Sequence, residues 1–303
     1  MQIRTMVRAI FIATLPVIFI TDVDAAARTY GAGFERSEWR VSEYSPLQCT
    51  LEHDIPRYGQ VRFESEASRE LNMRVVLGMK RLPDTYSEAQ VYSVSPSWRA
   101  TTAPRRLGSL PLYRQYDSEL GKRMSWVLLT ELDKGMMPTI SYADWHNETD
   151  TVQVSISAVN FHQRYDDFME CVSGLLPFGF EDIAFTVLNY KEQSIELTNG
   201  SKRKLMRVGK YLSYDQDIEL VLLAGYTDAY GSREENQVLS VARAQTVKDF
   251  LVGQGLNESQ ISIKGHGEMR HTAGNENELE RRQNRRVVVQ ITRPFDQNLL
   301  SSR

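Results

Sequence analysis

The stretch "GYTDAYGSREENQVLSVARA", Gly225 to Ala244, gathers the residues of this chain best suited to chemistry. An apolar run, "IELVLLAG", leads into it, and helical spacing resumes after a polar turn containing Gly231. The pattern predicts a strand, a turn and a helix, with Asp228 just past the strand's carboxyl end, where α/β domains usually place ligand contacts. The helix is expected to begin near Asn236, so its first amides could receive an anion. Asn236 and Arg243 lie two helical turns apart and share a face, with Ser240 between them. A carboxylate and a guanidinium facing one cleft suit a zwitterion: Asp228 takes an ammonium, and Arg243 grips a carboxylate in bidentate fashion. A structural Asp228–Arg243 salt bridge accounts for the same spacing, and such pairs are common.

The rest of the chain must position these groups. Its 303 residues suffice for two domains with separate cores. Hydrophobic content of 41% and charged content of 25% are ordinary for folded protein, and a net charge of −3 gives no support for a polyanionic partner. Residues 1–27 read as a signal peptide: Arg4 and Arg8, the apolar "AIFIATLPVIFI", then Ala25 and Ala27 at a small-x-small cleavage site. The apolar run is short and broken by Pro16; an uncleaved anchor is the alternative. Export to an oxidising compartment favours pairing of the only two cysteines, Cys49 and Cys171, against two buried thiols that never meet. Such a bridge closes a long loop, with an upper contribution of about 4–5 kcal/mol.

Residues 28–177 read as a compact β-rich domain with a few short helices. Leu71, Met73, Val75, Leu77 and Met79 alternate, as do Val152, Val154, Ile156 and Ala158. Pro96, Pro104, Pro111 and Pro138 are expected at turns or edges. "SWVLLTELDKG" predicts a helix ending at Gly135, and "FHQRYDDFMECVSGLL" one that carries Cys171 toward the core. "LLPFGFED", Leu175 to Asp182, reads as a hinge. From there strands and helices alternate through residues 178–303, the mark of an α/β sandwich on a mixed sheet. The fold class is therefore α+β.

The motifs of this second half resemble the OmpA-like peptidoglycan-binding domain. They are Gly225 to Asp228, Asn236, "LSVARA", Gly265 to Glu268, Asn275 and "NRRV" from Asn284. The resemblance implies that Asp228 and Arg243 grip diaminopimelate of the peptidoglycan stem peptide, with Asn236 and Arg286 lining the same pocket. Tyr226 stands where that family usually has His, His271 where it has Pro, and Glu280, a carboxylate beside the basic cluster, where it has Gly. The first half, with "IPRYGQVRFESEASRELNMRVVLGMKR", "VSPSWR" and "ELDKGMMPTISYADW", resembles the amino-terminal domain of the MotY family, components of the T ring of sodium-driven polar flagellar motors. The two cysteines and the hinge match that family's layout, and the likeness runs from about residue 44 to 292. It implies a first domain associated with the flagellar basal body (LP ring) and MotX. The second domain would reach the wall, so that the chain helps anchor PomA/PomB stator units on the outer-membrane side of the periplasm.

Other chemistries find little support. Five histidines are scattered without metal-ligand spacing, and no P-loop or nucleophile elbow occurs, so no metal, cofactor or enzymatic activity is expected. Gly265 and Gly267 in "GHG" are expected to satisfy turns. "RRQNRR", Arg281 to Arg286, follows three glutamates and reads as a solvated mixed-charge helix, so nucleic acid is not expected. The competing reading is a general wall-tethered envelope protein unrelated to motility, or an outer-membrane barrel with a wall anchor. The evenly spaced alternating segments of about ten residues that such a barrel requires do not occur.

Overall fold

A computed structural model describes residues 27–294 except 101, 146 and 148; of the stretch 1–27 read as a signal peptide, all but Ala27 lies outside the described residues. The first half builds two five-stranded sheets. One runs in the order β2 (Trp39–Tyr44), β3 (Gln48–Ile55), β4 (Gly59–Glu66), β5 (Arg74–Met79) and β8 (Ser118–Leu120). The other runs β1 (Ala27–Gly31), β10 (Thr151–Ser155), β9 (Met137–Ala143), β6 (Ser87–Val94) and β7 (Arg105–Leu112). Alternating residues of both, among them Leu51, Phe63, Leu77, Val91, Ile140 and Val154, join one apolar core. The apolar side chains face inward between two sheets, not outward as in a membrane barrel. No described helix is long and apolar enough to cross a membrane.

Helix α1 (Lys122–Asp133) stops before Gly135, whose φ of 74° suits glycine. Helix α2 (Phe161–Ser173) lies on β2 and β3 and brings Cys171 to Cys49, where the two form a disulfide with Cα atoms 6.0 Å apart. Two strand expectations shift. Leu71 stays outside β5 and is exposed, because Asn72 turns the chain by accepting the Glu66 amide at 2.8 Å. Pro111 lies on the edge strand β7 as expected, but Pro138 lies on the internal strand β9. It is tolerated there because β10 pairs only from Thr139 onward.

The segment read as a hinge is packed. Leu176 and Phe178 are buried in the second core beside Ala67, Leu176 N–H donates to Pro46 O at 2.9 Å, and Arg69 pairs with Asp182. A Cβ on Gly179 would come within 2.6 Å of Ala67 O, so this turn sits directly on backbone. Helix α3 (Phe180–Ile183) follows, then β11 (Phe185–Asn189), α4 (Asn199–Leu212), β12 (Leu220–Tyr226), α5 (Arg233–Gly253), β13 (Ile261–Gly265), α6 (Glu278–Asn284) and β14 (Arg286–Thr292). The sheet order is β11-β14-β12-β13; β12 and β13 are parallel across the α5 crossover, and the other pairs are antiparallel. Helix and sheet make the expected α/β sandwich.

Helix α5 begins three residues before Asn236 because Ser232 and Glu235 form a capping box. Its seating on the sheet depends on two facing glycines. A Cβ on Gly225 would overlap Ser240 O, and one on Gly265 would lie 2.5 Å from Ser240 Oγ and Val241 Cγ2. Gly265 is therefore a packing glycine and not a turn glycine; only Gly267, with φ of 56°, serves the turn.

Candidate functional site

Strand β12 ends at Tyr226, and Thr227 N–H is held by Gly267 O at 2.8 Å, so Asp228 emerges where the sheet gives way to loops. The Asp228 carboxylate is almost wholly buried. Arg285 donates to its Oδ2 at 2.9 Å, while its Oδ1 accepts only a long 3.3 Å bond from Tyr230 N–H. Arg285 also binds Glu278, whose carboxylate is half exposed. Burial opposes the Arg285 charge, yet the two carboxylates outweigh it and raise its pKa; the bond to Arg285 in turn holds Glu278 low. Two buried polar atoms here have no protein partner: Thr227 Oγ1 and Arg285 Nε.

Asp228 and Arg243 do not pair, and Arg243 does not face an open cleft. The Arg243 side chain is fully buried beneath the segment joining β11 to α4. Its Nε donates to Ser194 O at 2.9 Å, and its other nitrogens reach Tyr226 O at 3.3 Å and Lys191 O at 3.4 Å. The guanidinium lies 5.1 Å over the Tyr190 ring, whose hydroxyl bonds Arg243 O at 2.8 Å. Burial brings the Arg243 pKa down to about 10, against the attraction of Asp228, so the group remains a cation at neutral pH. The physical reason is supply: backbone carbonyls of Lys191 and Ser194 satisfy the fork before any carboxylate does.

The remaining expected residues divide. Asn236 is buried on α5, and its Nδ2 donates to Glu268 Oε2 at 3.1 Å, linking the helix start to the loop after β13. Arg286, opposite Tyr226 in the β12–β14 register, lies 4.0 Å over the Tyr226 ring and donates to Arg270 O at 2.9 Å. Tyr226 also stacks on His266 at 4.9 Å, so the tyrosine found in place of histidine serves as a platform for both. Glu280 does not face the basic cluster. It accepts the Glu276 amide and the Asn277 side chain and ties down the loop at Gly274.

Sequence reasoning gave no site role to Arg285 or Glu278 and took Asn284 only as the start of a motif. Asn284 is fully buried: it accepts the Thr272 and Ala273 amides and donates to the Ala273 and Gly274 carbonyls. It also donates to Asn275 Oδ1, which accepts Ala229 N–H at 3.2 Å, so one amide network joins the two loops that flank Asp228. The available signal was the doublet Arg285–Arg286 at the start of a strand, where period-2 alternation sends the two side chains opposite ways. Reading "RRQNRR" as a solvated helix hid it: Arg285 and Arg286 are buried.

Residues 30–177 match the MotY N-terminal domain, and residues 189–285 match the OmpA family. The sodium-type flagellar protein MotY of Vibrio parahaemolyticus is 36% identical over 266 residues, covering 88% of this chain and 91% of that protein. The chain belongs to the MotY family. The chain is also similar to outer membrane protein A of Serratia marcescens, 49% identical over 55 residues, which are 18% of this chain and 15% of that one. Among solved structures, the peptidoglycan-associated lipoprotein of Burkholderia pseudomallei aligns with TM-score 0.33 and 24% identity, covering 35% of this chain and 89% of that one. The C-terminal domain of Helicobacter pylori MotB aligns with TM-score 0.33 and 22% identity, over 38% and 89% of the two chains.

Proposed function

We propose that this MotY-family chain is a non-enzymatic periplasmic scaffold of the flagellar motor. Its first half, residues 28–177, associates with the basal body at the LP ring and with MotX. Its second half, residues 178–303, binds peptidoglycan, and together they help anchor sodium-driven PomA/PomB stator units. The observation that carries the wall contact is the pair of unpartnered buried polar atoms, Thr227 Oγ1 and Arg285 Nε, beside the weakly bonded Oδ1 of Asp228. Buried polar atoms are normally satisfied, and a polar ligand would satisfy these.

In this reading diaminopimelate presents an ammonium to Asp228 and a carboxylate to the cationic side of the site, with Asn236 and Arg286 lining it. Arg243 takes part once the Lys191–Ser194 segment lifts from its guanidinium. Asp228→Asn keeps the side chain's shape and removes the charge that an ammonium needs. Less of this variant should sediment with purified peptidoglycan than of the parent chain, and equal sedimentation would remove Asp228 from the site. For the motor role, a deletion strain should carry filaments by electron microscopy yet fail to swim, with the intact gene restoring motion. Normal swimming of that strain would leave a general wall tether.

A further inference from the structure

Outside the wall site, a cavity of about 290 Å³ opens beside β1 in the first half of the chain. Its floor is aromatic. The Tyr58 and Tyr142 hydroxyls bond at 3.2 Å, Tyr30 leans on Tyr58, and Trp145 stacks flat on Tyr142. Its rim is cationic, with Arg28, Arg57, Lys80 and Arg81. Arg28 is bound to Asp144, but no carboxylate among the described residues pairs with Arg57, Lys80 or Arg81. Asp54, which feels the Lys80 charge, is already bound to Arg40. A second cavity of about 360 Å³ shares Tyr30 and Arg57 with the first and adds Arg36, likewise without an ion-pair partner among the described residues. Tyr30 and Arg57 line both, so the two cavities adjoin there as one basic groove along β1.

The backbone builds this arrangement at some cost. Arg57 sits at the tip of the β3–β4 hairpin with φ of 68°, a conformation that glycine or asparagine adopts more cheaply. A non-glycine residue held there is a reason to look for a role. Beside it Gly59 lies so close to β5 that a Cβ would overlap Gly78 O. That approach, with Lys80 N–H donating to Tyr58 O at 2.9 Å, brings Lys80 and Arg81 next to the aromatic floor. Strand β1 runs along both cavities, Arg28 lining the first, Thr29 and Gly31 the second, and Tyr30 both. It is an edge strand, paired only with β10, so its outer edge has no strand partner among the described residues. Free edges are templates for strand addition.

We propose that this groove docks an extended acidic segment of a partner protein, which adds to the free edge of β1 and sets its carboxylates against Arg36, Arg57, Lys80 and Arg81. Charge complementarity selects the occupant: Arg36, Arg57, Lys80 and Arg81, without ion-pair partners among the described residues, line the groove, and its aromatic floor takes apolar groups of the same segment. The inference rests on the reading above only in giving the first half a protein partner, and it stands whether or not the second half binds the wall.

The test is fluorescence anisotropy of a fluorescein-labelled peptide alternating glutamate with valine, titrated with the purified chain at low salt. The same peptide with lysine for glutamate is the control. The acidic peptide should bind saturably and the lysine peptide should not, and added salt should weaken the complex. Arg57→Glu and Lys80→Glu should each weaken it about tenfold. Arg57→Gly relaxes the backbone, so it should weaken binding while the melting temperature does not fall, which separates docking from folding. Failure of the acidic peptide to bind, equal binding of the lysine peptide, or full affinity in the charge-reversed variants would each overturn the proposal. Peptidoglycan sedimentation of the same variants should match that of the parent chain, so failure here leaves the wall reading as it stands.

Discussion

Arg243→Ala is the substitution whose outcome depends most on the tertiary structure. The guanidinium makes one good charged hydrogen bond, to Ser194 O at 2.9 Å, and two long ones. Losing them costs about 4 kcal/mol, taking about 2 for the first and about 1 for each of the others. The buried stem adds about 2 kcal/mol at about 0.8 per methylene. Against this, alanine removes the cost of holding a desolvated cation. Burial lowers the pKa from 12.5 to about 10, which corresponds to about 3 kcal/mol at roughly 1.4 per pH unit. The net loss is about 3 kcal/mol. Denaturation in urea followed by two probes reads it, because all four tryptophans (Trp39, Trp98, Trp126 and Trp145) lie in the first half and the longest described helix, α5, lies in the second. With a urea slope of about 2 kcal/mol per molar, the circular-dichroism midpoint should fall by about 1.5 M. The tryptophan transition should stay in place if the halves unfold independently. A circular-dichroism midpoint within about 0.5 M of the parent would refute the burial argument and return Arg243 to the role of a free ligand group. For the same reason, weaker wall binding by an alanine variant here reports folding as well as contact.

Three further outcomes follow from single contacts. Cys49→Ser removes a bridge spanning 122 residues and should cost up to about 4–5 kcal/mol, read as a lower melting temperature that reductant reproduces in the parent chain. His53 is fully buried, stacked on Trp39 and bonded to Glu38 O, and burial lowers its pKa. The unfolded chain therefore takes up the proton first, so stability is complete above about pH 6.5 and declines as the pH falls through that value. His53→Gln should flatten the fall in tryptophan-detected melting temperature between neutral pH and about pH 5.5, and an unchanged slope would assign the effect elsewhere. Gly225→Ala forces α5 off the sheet at Ser240 and should destabilise the second half by about 1–3 kcal/mol, whereas Gly253→Ala, with nothing near its Cβ, should be close to neutral.

Local order was legible in the residues themselves. Period-2 runs gave β5 and β10, the 3.6 period gave α2, and Gly135 marked the end of α1, because these signals depend on neighbours a few positions away. The pairing of Cys49 with Cys171 was also legible, since a chain with two cysteines leaves each with only the other as partner. Family motifs located the Asp228 turn and its helix. What the chain alone did not disclose was who binds whom across the fold. Asp228 met Arg285 because the β12–β14 register sets Tyr226 opposite Arg286 and leaves the preceding arginine pointing back into the site. Arg243 was capped by Lys191 and Ser194, far from it in sequence, because α5 packs against the sheet on two glycines too close for any side chain between. The basic groove likewise exists only where the β3–β4 hairpin folds over β1. Composition and periodicity determine which surfaces must be buried; strand register and close backbone approach, which are long-range, decide which charges then meet.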